Sequence, residues 1–297
     1  MHFTKMHGLG NDYLYVFGEV PENIEDLSIK MSDRHFGAGS DGMIYISPSD
    51  KADFQMRIFN ADGSEAKMCG NGIRCVGKYV YDKGYTDKTE LKIDTMSGIK
   101  YLSLETMAGS VVSVSVDMGK GEDKGDLSLN IPNTVNNYSN IAMNLQKTEL
   151  PFGSKSFDLN TDSLNVICKS VSTGNPHAII FVKDAENAPL TTLGPVIEHH
   201  EAFPDGVNVE FVEVLSRNEL RMRVWERGSG VTMACGTGAC ASAFAAVKNK
   251  YCDYDTPIHI ILDGGVLTIS ISSDEEITMQ GPATFVYEGD IKLYSNQ

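Results

Sequence analysis

Cys69-Gly70-Asn71-Gly72 recurs as Cys235-Gly236-Thr237-Gly238, and each copy opens a segment with the marks of a short buried helix. After the first copy, Ile73, Val76 and Val80 share one helical face and Gly84 supplies a stop, which predicts a helix from about Asn71 to Lys83. After the second, an alanine-rich run predicts a helix from about Thr237 to Lys250 whose small side chains let it sit deep. The surroundings repeat as well. Asn60 and Glu226 each stand nine positions before their cysteine, at the end of a strand-like run. Gly42 and Asn208 each stand twenty-seven positions before it, beside the Asp-Gly turns Asp41-Gly42 and Asp205-Gly206. Earlier still come Gly10-Asn11 and Gly174-Asn175, so the offset between halves stays near 166 residues. A register held over that length predicts two pseudo-equivalent domains.

Strand patterns dominate the rest: 54–59, 91–94, 111–118, 165–171, 178–182, 207–215, 219–225 and 257–272. The fold class expected is α/β (α+β): two pseudo-symmetric domains, each a twisted, mostly antiparallel sheet or barrel around a central helix, with the active site in the cleft between them. The charged, glycine-rich stretch from Gly119 to Asp126 marks the boundary. The expected domains are 1–121 and 122–281, and the strand-like segment from Ala283 to Glu288 returns so that 282–297 completes the first.

With 297 residues, 41% hydrophobic and 22% charged, the chain has material for two cores and the composition of a globular protein. A net charge of -15 repels nucleic acid and anionic membranes over much of the surface, and excludes neither a zwitterionic nor a small polar substrate. No apolar run is long enough to span a bilayer, and MHFTKMHGLGNDYLYV alternates like a strand rather than a signal segment; the expected location is the cytoplasm. The six cysteines, 69, 75, 168, 235, 240 and 252, include no CxxC pair and read as free thiols. Their spacing does not suit a zinc site, and no GxxxxGK[ST] phosphate loop is present.

A cysteine at a helix N-terminus feels the positive end of the helix dipole and unpaired N–H groups, which favour thiolate and lower its pKa from about 8.5. The same N–H groups hold carboxylates, and flanking glycines let a ligand approach closely. Two such thiols on opposite faces of one carbon make an acid and a base for stereoinversion, without metal or pyridoxal phosphate. The rival reading, a pair of small buried hydrophobes, does not account for the repeated context. His177, by contrast, reads from its own surroundings as a strand-start histidine satisfied by a backbone carbonyl.

GLGNDYLYV, DRHFGAGSDG, RIFNADGSEAKMCGNGIRC, STGNPHAII, GVNVEFV, RVWERGSG and ACGTGACAS occur in this order, and through them the chain resembles the diaminopimelate epimerase family over nearly its whole length. The resemblance implies cofactor-independent interconversion of L,L- and meso-diaminopimelate, a step toward lysine and, in many bacteria, toward peptidoglycan. It implies Cys69 and Cys235 as the catalytic pair, with His177 and Glu226 tuning or orienting them. Gly70, Asn71, Gly236 and Thr237 are then expected to contact the reacting carboxylate at the helix ends. Asn11, Asn60, Asn175, Asn208, Glu226 and Arg227 are expected to line the pocket, with Arg227 gripping the distal carboxylate. A homodimer is the family-based expectation. Many relatives carry glutamine where this chain has Gly42, so Gly42 stands outside the expected site. The alternatives are a proline or hydroxyproline-type racemase of the same fold, for which the polar pocket has little use, and a non-catalytic amino-acid-binding protein, for which two intact thiols have none.

Overall fold

The structure is a computed structural model that describes residues 1–132, 157–159 and 163–292. The chain divides into two compact units, Met1–Asp117 with Gln280–Gln297, and Met118–Met279. Residues 293–297 of the expected first domain lie outside the described residues.

Unit 1 begins with the antiparallel pair β1 (His2–Gly8) and β2 (Asn11–Phe17), followed by α1 (Ile24–Ser32). Next come β3 (Gly42–Pro48), parallel to β2, then β4 (Phe54–Asn60), antiparallel to β3, and the short β5 (Glu65–Ala66). Helix α2 (Gly70–Asp82) follows, then β6 (Glu90–Thr95), parallel to β4, and the meander β7 (Gly98–Met107) and β8 (Ser110–Lys120). Because strand side chains alternate between faces, β2 and β3 serve two cores at once. Leu14, Val16, Met43 and Tyr45 pack with Ile24, Leu27 and Met31 of α1. The other face meets α2: the Tyr15 hydroxyl donates to the Gly72 carbonyl at 3.3 Å, and Ile44 packs against Gly72. Burial on both faces explains why these strands read as continuous apolar runs rather than clean alternation.

Unit 2 opens on β9 (Glu122–Pro132) and β10 (Phe157–Leu159), both antiparallel to β11 (Ser163–Ser172). It continues with β12 (Pro176–Val182), α3 (Leu190–Glu198) and β13 (Asn208–Ser216), in which β12 and β13 run parallel. Then come β14 (Glu219–Glu226), the short β15 (Gly230–Val231), α4 (Gly236–Lys248), and the hairpin β16 (Ile258–Leu262) and β17 (Gly265–Ile271), followed by β18 (Glu276–Gly281). Ala178, Ile180, Val182, Val207, Val209 and Phe211 pack with Leu190, Leu193 and Ile197 of α3. The opposite face is given to α4, whose residues are nearly all buried and mostly alanine or glycine. Small side chains let that helix lie against β11, β12, β13, β14, β16 and β17 together.

Element by element, unit 2 repeats unit 1 at an offset of about 166 residues: α1 with α3, α2 with α4, and the parallel pair β2–β3 with β12–β13. The expected sheet around a central helix is present in each unit. Three local readings change. The run 257–272 is a hairpin turning at Asp263-Gly264 rather than one strand, because β16 and β17 pair antiparallel from Leu262↔Gly265 outward. The stretch read as marking the boundary, Gly119 to Asp126, is mostly strand, with β8 ending at Lys120 and β9 starting at Glu122. Helix α1 was not expected as an element; α3, whose end the pair His199-His200 marks in the sequence, carries Gly194 and Pro195 in its interior, which weakens its local signal. Finally β19 (Thr284–Asp290) pairs antiparallel with β1, and the Met1 amine donates to the Ile291 carbonyl at 2.7 Å.

Candidate active site

Cys69 is the N-cap residue of α2, and its extended backbone turns the sulfur back over the first turn, where Sγ accepts from the Gly72 N–H at 3.3 Å. The thiol in turn reaches Asn11 Oδ1 at 3.3 Å. Asn11 Nδ2 donates to Asp41 Oδ2 at 2.9 Å, and Arg34 ties Asp41 to Asp12, with 2.8 Å to each carboxylate. Lys5 closes this chain of charges at 2.7 Å from Asp12. Burial pushes the Asp12 carboxyl up, but hydrogen bonds and charge from Arg34 and Lys5 outweigh it and hold the group below its ordinary value. Burial, with the neighbouring Asp12 charge, raises Asp41 instead.

Cys235 holds the matching position at the start of α4 in a drier setting, with 4% of its surface exposed. Its Sγ lies 3.6 Å from Thr237 Oγ1. Burial, then the charges of Glu226 and Glu210, push this thiol well above its ordinary value. Glu226 is itself raised, chiefly by burial, although Thr232 Oγ1 donates to it at 2.5 Å. Beside them runs a buried polar chain. His177 and Glu210 come from the parallel strands β12 and β13 on the face turned to α4, and His177 Nδ1 is 2.6 Å from Glu210 Oε1. The other ring nitrogen, Nε2, is 3.0 Å from Asn175 Oδ1, and Asn175 Nδ2 donates to Thr237 Oγ1 at 3.3 Å. Gly238 is required where it stands, because a Cβ there would fall 2.6 Å from Glu210 Oε1.

Within unit 1 the structure brings Asn11, Cys69, Gly70 and Asn71 together, although Asn71 is 3% exposed and its Oδ1 accepts from Arg74 at 2.9 Å. Asn60 lies at the end of β4 opposite Gly42, and its Nδ2 donates to Ser64 Oγ at 3.0 Å. Within unit 2 it gathers His177, Asn175, Glu226, Cys235, Gly236 and Thr237. Asn208 is buried, accepting the Arg227 N–H at 2.9 Å and donating to the Pro176 carbonyl at 3.4 Å, so it braces the Arg227 backbone. The exposed Arg227 guanidinium gives one bond to the Asp205 carbonyl at 2.9 Å. His177 is satisfied by side chains rather than by the backbone carbonyl that its own surroundings suggest.

One residue escaped the sequence reading. Glu210 sits in a strand read only for its apolar content; an acid inside such a run was the available signal. Tyr13 is buried near the site, and burial, then the charges of Cys69 and Asp41, raise its phenol well above the ordinary value. Three of the other cysteines are inert by comparison: burial pushes Cys75 to about 11, Cys168 to about 12 and Cys252 to about 11. Among the described residues no group of three or more His, Cys, Asp and Glu side chains is arranged to hold a metal ion, and no helix is long and apolar enough to cross a membrane.

The chain belongs to the diaminopimelate epimerase family, whose sequence profile matches residues 3–122 and 169–286. The diaminopimelate epimerase of Agathobacter rectalis is 50% identical over 297 residues, covering 99% of this chain and 100% of the relative. That of Acetivibrio thermocellus is 47% identical over 296 residues, covering 99% of both chains. Among solved structures, a phenazine biosynthesis protein of the PhzF family from Bacillus anthracis superposes with a TM-score of 0.71 at 15% identity, covering 99% of each chain. That likeness concerns the fold.

Proposed function

We propose that the chain is a cofactor-independent epimerase that interconverts L,L- and meso-diaminopimelate, with Cys69 and Cys235 as the acid and base. The observation that carries the reading is the N-cap position of both thiols at the starts of equivalent buried helices, one in each repeat. Inversion at an α-carbon needs a base on one face and an acid on the other, and two matched thiols supply both. Helix N-termini stabilise the negative charge that grows on the substrate carboxylate as the proton leaves. Gly70, Asn71, Gly236 and Thr237 provide those helix ends in the reading, and His177 and Glu226 orient and tune Cys235. Asn11, Asn60, Asn175, Asn208 and Arg227 complete the pocket, Arg227 taking the distal carboxylate.

The two thiols differ in a way that assigns the resting protons. Burial beside two carboxylates keeps the proton on Cys235, whereas Cys69 is partly exposed and accepts an N–H bond of the kind that favours thiolate. Cys235 is therefore the resting acid; Cys69, whose thiol donates to Asn11 Oδ1 at 3.3 Å, acts as the base once it has given up that proton.

The same proposal takes residues 1–121 with 282–297, and 122–281, as the two copies of the duplicated unit. It also includes a cytoplasmic homodimer that binds neither nucleic acid nor membrane and that serves lysine and peptidoglycan precursor supply.

Proton NMR in deuterated water with L,L-diaminopimelate and no added cofactor tests the reading. The expected result is loss of the α-proton signal as the meso isomer forms. Folded, reduced protein that exchanges no proton on diaminopimelate would overturn it, and exchange on proline instead would identify a racemase.

A further inference from the structure

Asn11 opens β2 and Asn175 stands just before β12, matched positions in the two repeats, yet their amides face opposite ways. In unit 2 the carbonyl end is claimed by His177, whose Nε2 lies 3.0 Å from Asn175 Oδ1. Asn175 Nδ2 is left to point toward the thiol, donating at 3.3 Å to the Thr237 hydroxyl beside Cys235. In unit 1 the amino end is claimed instead. Asn11 Nδ2 donates to Asp41 Oδ2 at 2.9 Å, and Oδ1 is left to face the thiol, accepting from Cys69 Sγ at 3.3 Å.

The cause is a difference between the repeats beside the asparagine. Asp41 directly precedes Gly42; the residue directly preceding Asn208, the match of Gly42, is the buried Val207. Unit 2 therefore has no carboxylate at this point. In unit 1 the carboxylate collects three donors: Asn11 Nδ2, the Asp12 N–H at 3.0 Å and Arg34 Nη2 at 2.8 Å. A carboxylate offers only acceptors, so the amide beside it must present its NH2 and turn its carbonyl to the sulfur. The backbone fixes the arrangement, because the Asp41 N–H donates to the Asp12 carbonyl at 2.7 Å.

We propose that Asp41 is a positioning residue for Cys69: by claiming the amino end of Asn11 it turns the carbonyl to the sulfur, which holds the proton on the resting thiol and makes the bare thiolate a stronger base. The inference rests on the reading of Cys69 as a reacting group. A carbonyl oxygen is a partner for S–H and a repulsive neighbour for a thiolate, so it opposes the Gly72 N–H, which donates to Sγ at 3.3 Å. The other charged groups around the pair are held elsewhere. Lys5, Asp12 and Arg34 are tied to one another, and Arg74 donates to the Gly70 carbonyl and Asn71. Tyr13 is buried, and burial, then the charges of Cys69 and Asp41, push its phenol well above the ordinary value, so it stays neutral where thiols titrate.

Asp41→Asn removes the charge and lets position 41 donate, so the Asn11 amide can turn over and give its NH2 to the sulfur. The pH midpoint of iodoacetamide modification at Cys69, followed by peptide mapping, should fall by about one unit, the size of a hydrogen bond gained by a charged sulfur. The acid limb of the kcat/KM profile should move down with it. In an Asn11→Ala background the same substitution should move the midpoint by less than about a third of a unit, because no amide remains to turn. A midpoint unchanged in Asp41→Asn, or a shift as large without the Asn11 amide as with it, overturns the inference. Neutron diffraction of the unmutated protein reads the amide directly: deuterium is expected on the side toward Asp41 and none on the side toward Sγ, and the reverse orientation overturns the inference whatever the variants do. Alkylation and diffraction need no turnover, so the two levels fail separately. Cys69→Ala that retains proton exchange removes the reading of Cys69, whereas an inactive Cys69→Ala with an unmoved Asp41→Asn midpoint removes only the role of Asp41.

Discussion

His177 Nδ1 lies 2.6 Å from Glu210 Oε1, and both side chains are fully buried beneath the start of α4. The remaining carboxylate oxygen, Oε2, has no hydrogen-bond partner. Such a pair fixes the imidazole ring and, through Asn175, the Thr237 hydroxyl beside Cys235. Glu210→Gln keeps the shape and removes the charge; turnover should fall roughly 10- to 100-fold through misplacement, and stability by about 1–3 kcal/mol. Urea denaturation and steady-state kinetics check both. Glu210→Ala, which leaves His177 without its partner, should cost about 3–5 kcal/mol.

Removing either N-cap thiol should stop the reaction. Cys69→Ala and Cys235→Ala are each expected to lower epimerisation at least about 100-fold, the scale of a lost general acid or base. Circular dichroism should show both folded, because neither side chain fills a large volume. An alanine variant that keeps most of its activity would refute the two-thiol scheme.

The contrast between the thiols can be read chemically. Brief iodoacetamide treatment near pH 8 should label Cys69 first, with Cys235 slow because burial and two carboxylates raise it. Cys75, Cys168 and Cys252, pushed to about 11, 12 and 11, should stay unmodified in folded protein. Peptide mapping in which Cys235 leads Cys69 would reverse the resting assignment.

Gly238→Ala tests how tightly Glu210 is held. Alanine ordinarily improves a helix by up to about 1 kcal/mol over glycine, but here the new methyl falls 2.6 Å from Glu210 Oε1 and 3.3 Å from Cys235 Sγ. The expected sum is a loss of about 1–3 kcal/mol together with most activity. The equivalent Gly72→Ala meets the end of the Ile44 side chain at 2.7 Å and the end of Met56 at 3.2 Å, both of which can swing aside, and should be milder.

Asp12 predicts an acid limb in the stability profile. Arg34 and Lys5 hold it below its ordinary value against the opposing effect of burial. A carboxyl with a depressed folded pKa stabilises the protein fully above its unfolded value, about 3.9, and that contribution disappears as pH falls through the folded value. Asp12→Asn should therefore cost about 1–3 kcal/mol at pH 7, and the gap to the parent should narrow below about pH 4. Urea midpoints at both pH values decide it.

The duplication was legible because glycines, asparagines and cysteines that punctuate turns and caps recur at fixed intervals. Both capped helices were accordingly placed to within two residues at each end. What escaped was α1, the first helix of its repeat, while its counterpart α3 was legible only at its end. Helix α1 is short and has no side-chain cap bond, and α3 carries Gly194 and Pro195, so neither has a strong local signature. Glu210 escaped for another reason: on strands buried from both sides, alternation no longer separates core from site.

Strand β19 lies beside β1 at the edge of unit 1, although it is encoded beyond the whole of unit 2. A ribosome therefore makes residues 118–279 before it supplies the strand that completes the sheet begun at His2. Unit 2 has every strand it needs while unit 1 still waits with β1 unpaired on one side. Completion of the first unit thus has to wait until the second has been made, unlike the usual case in which the first domain is finished first. During translation, the open edge of β1 is the surface most in need of a chaperone.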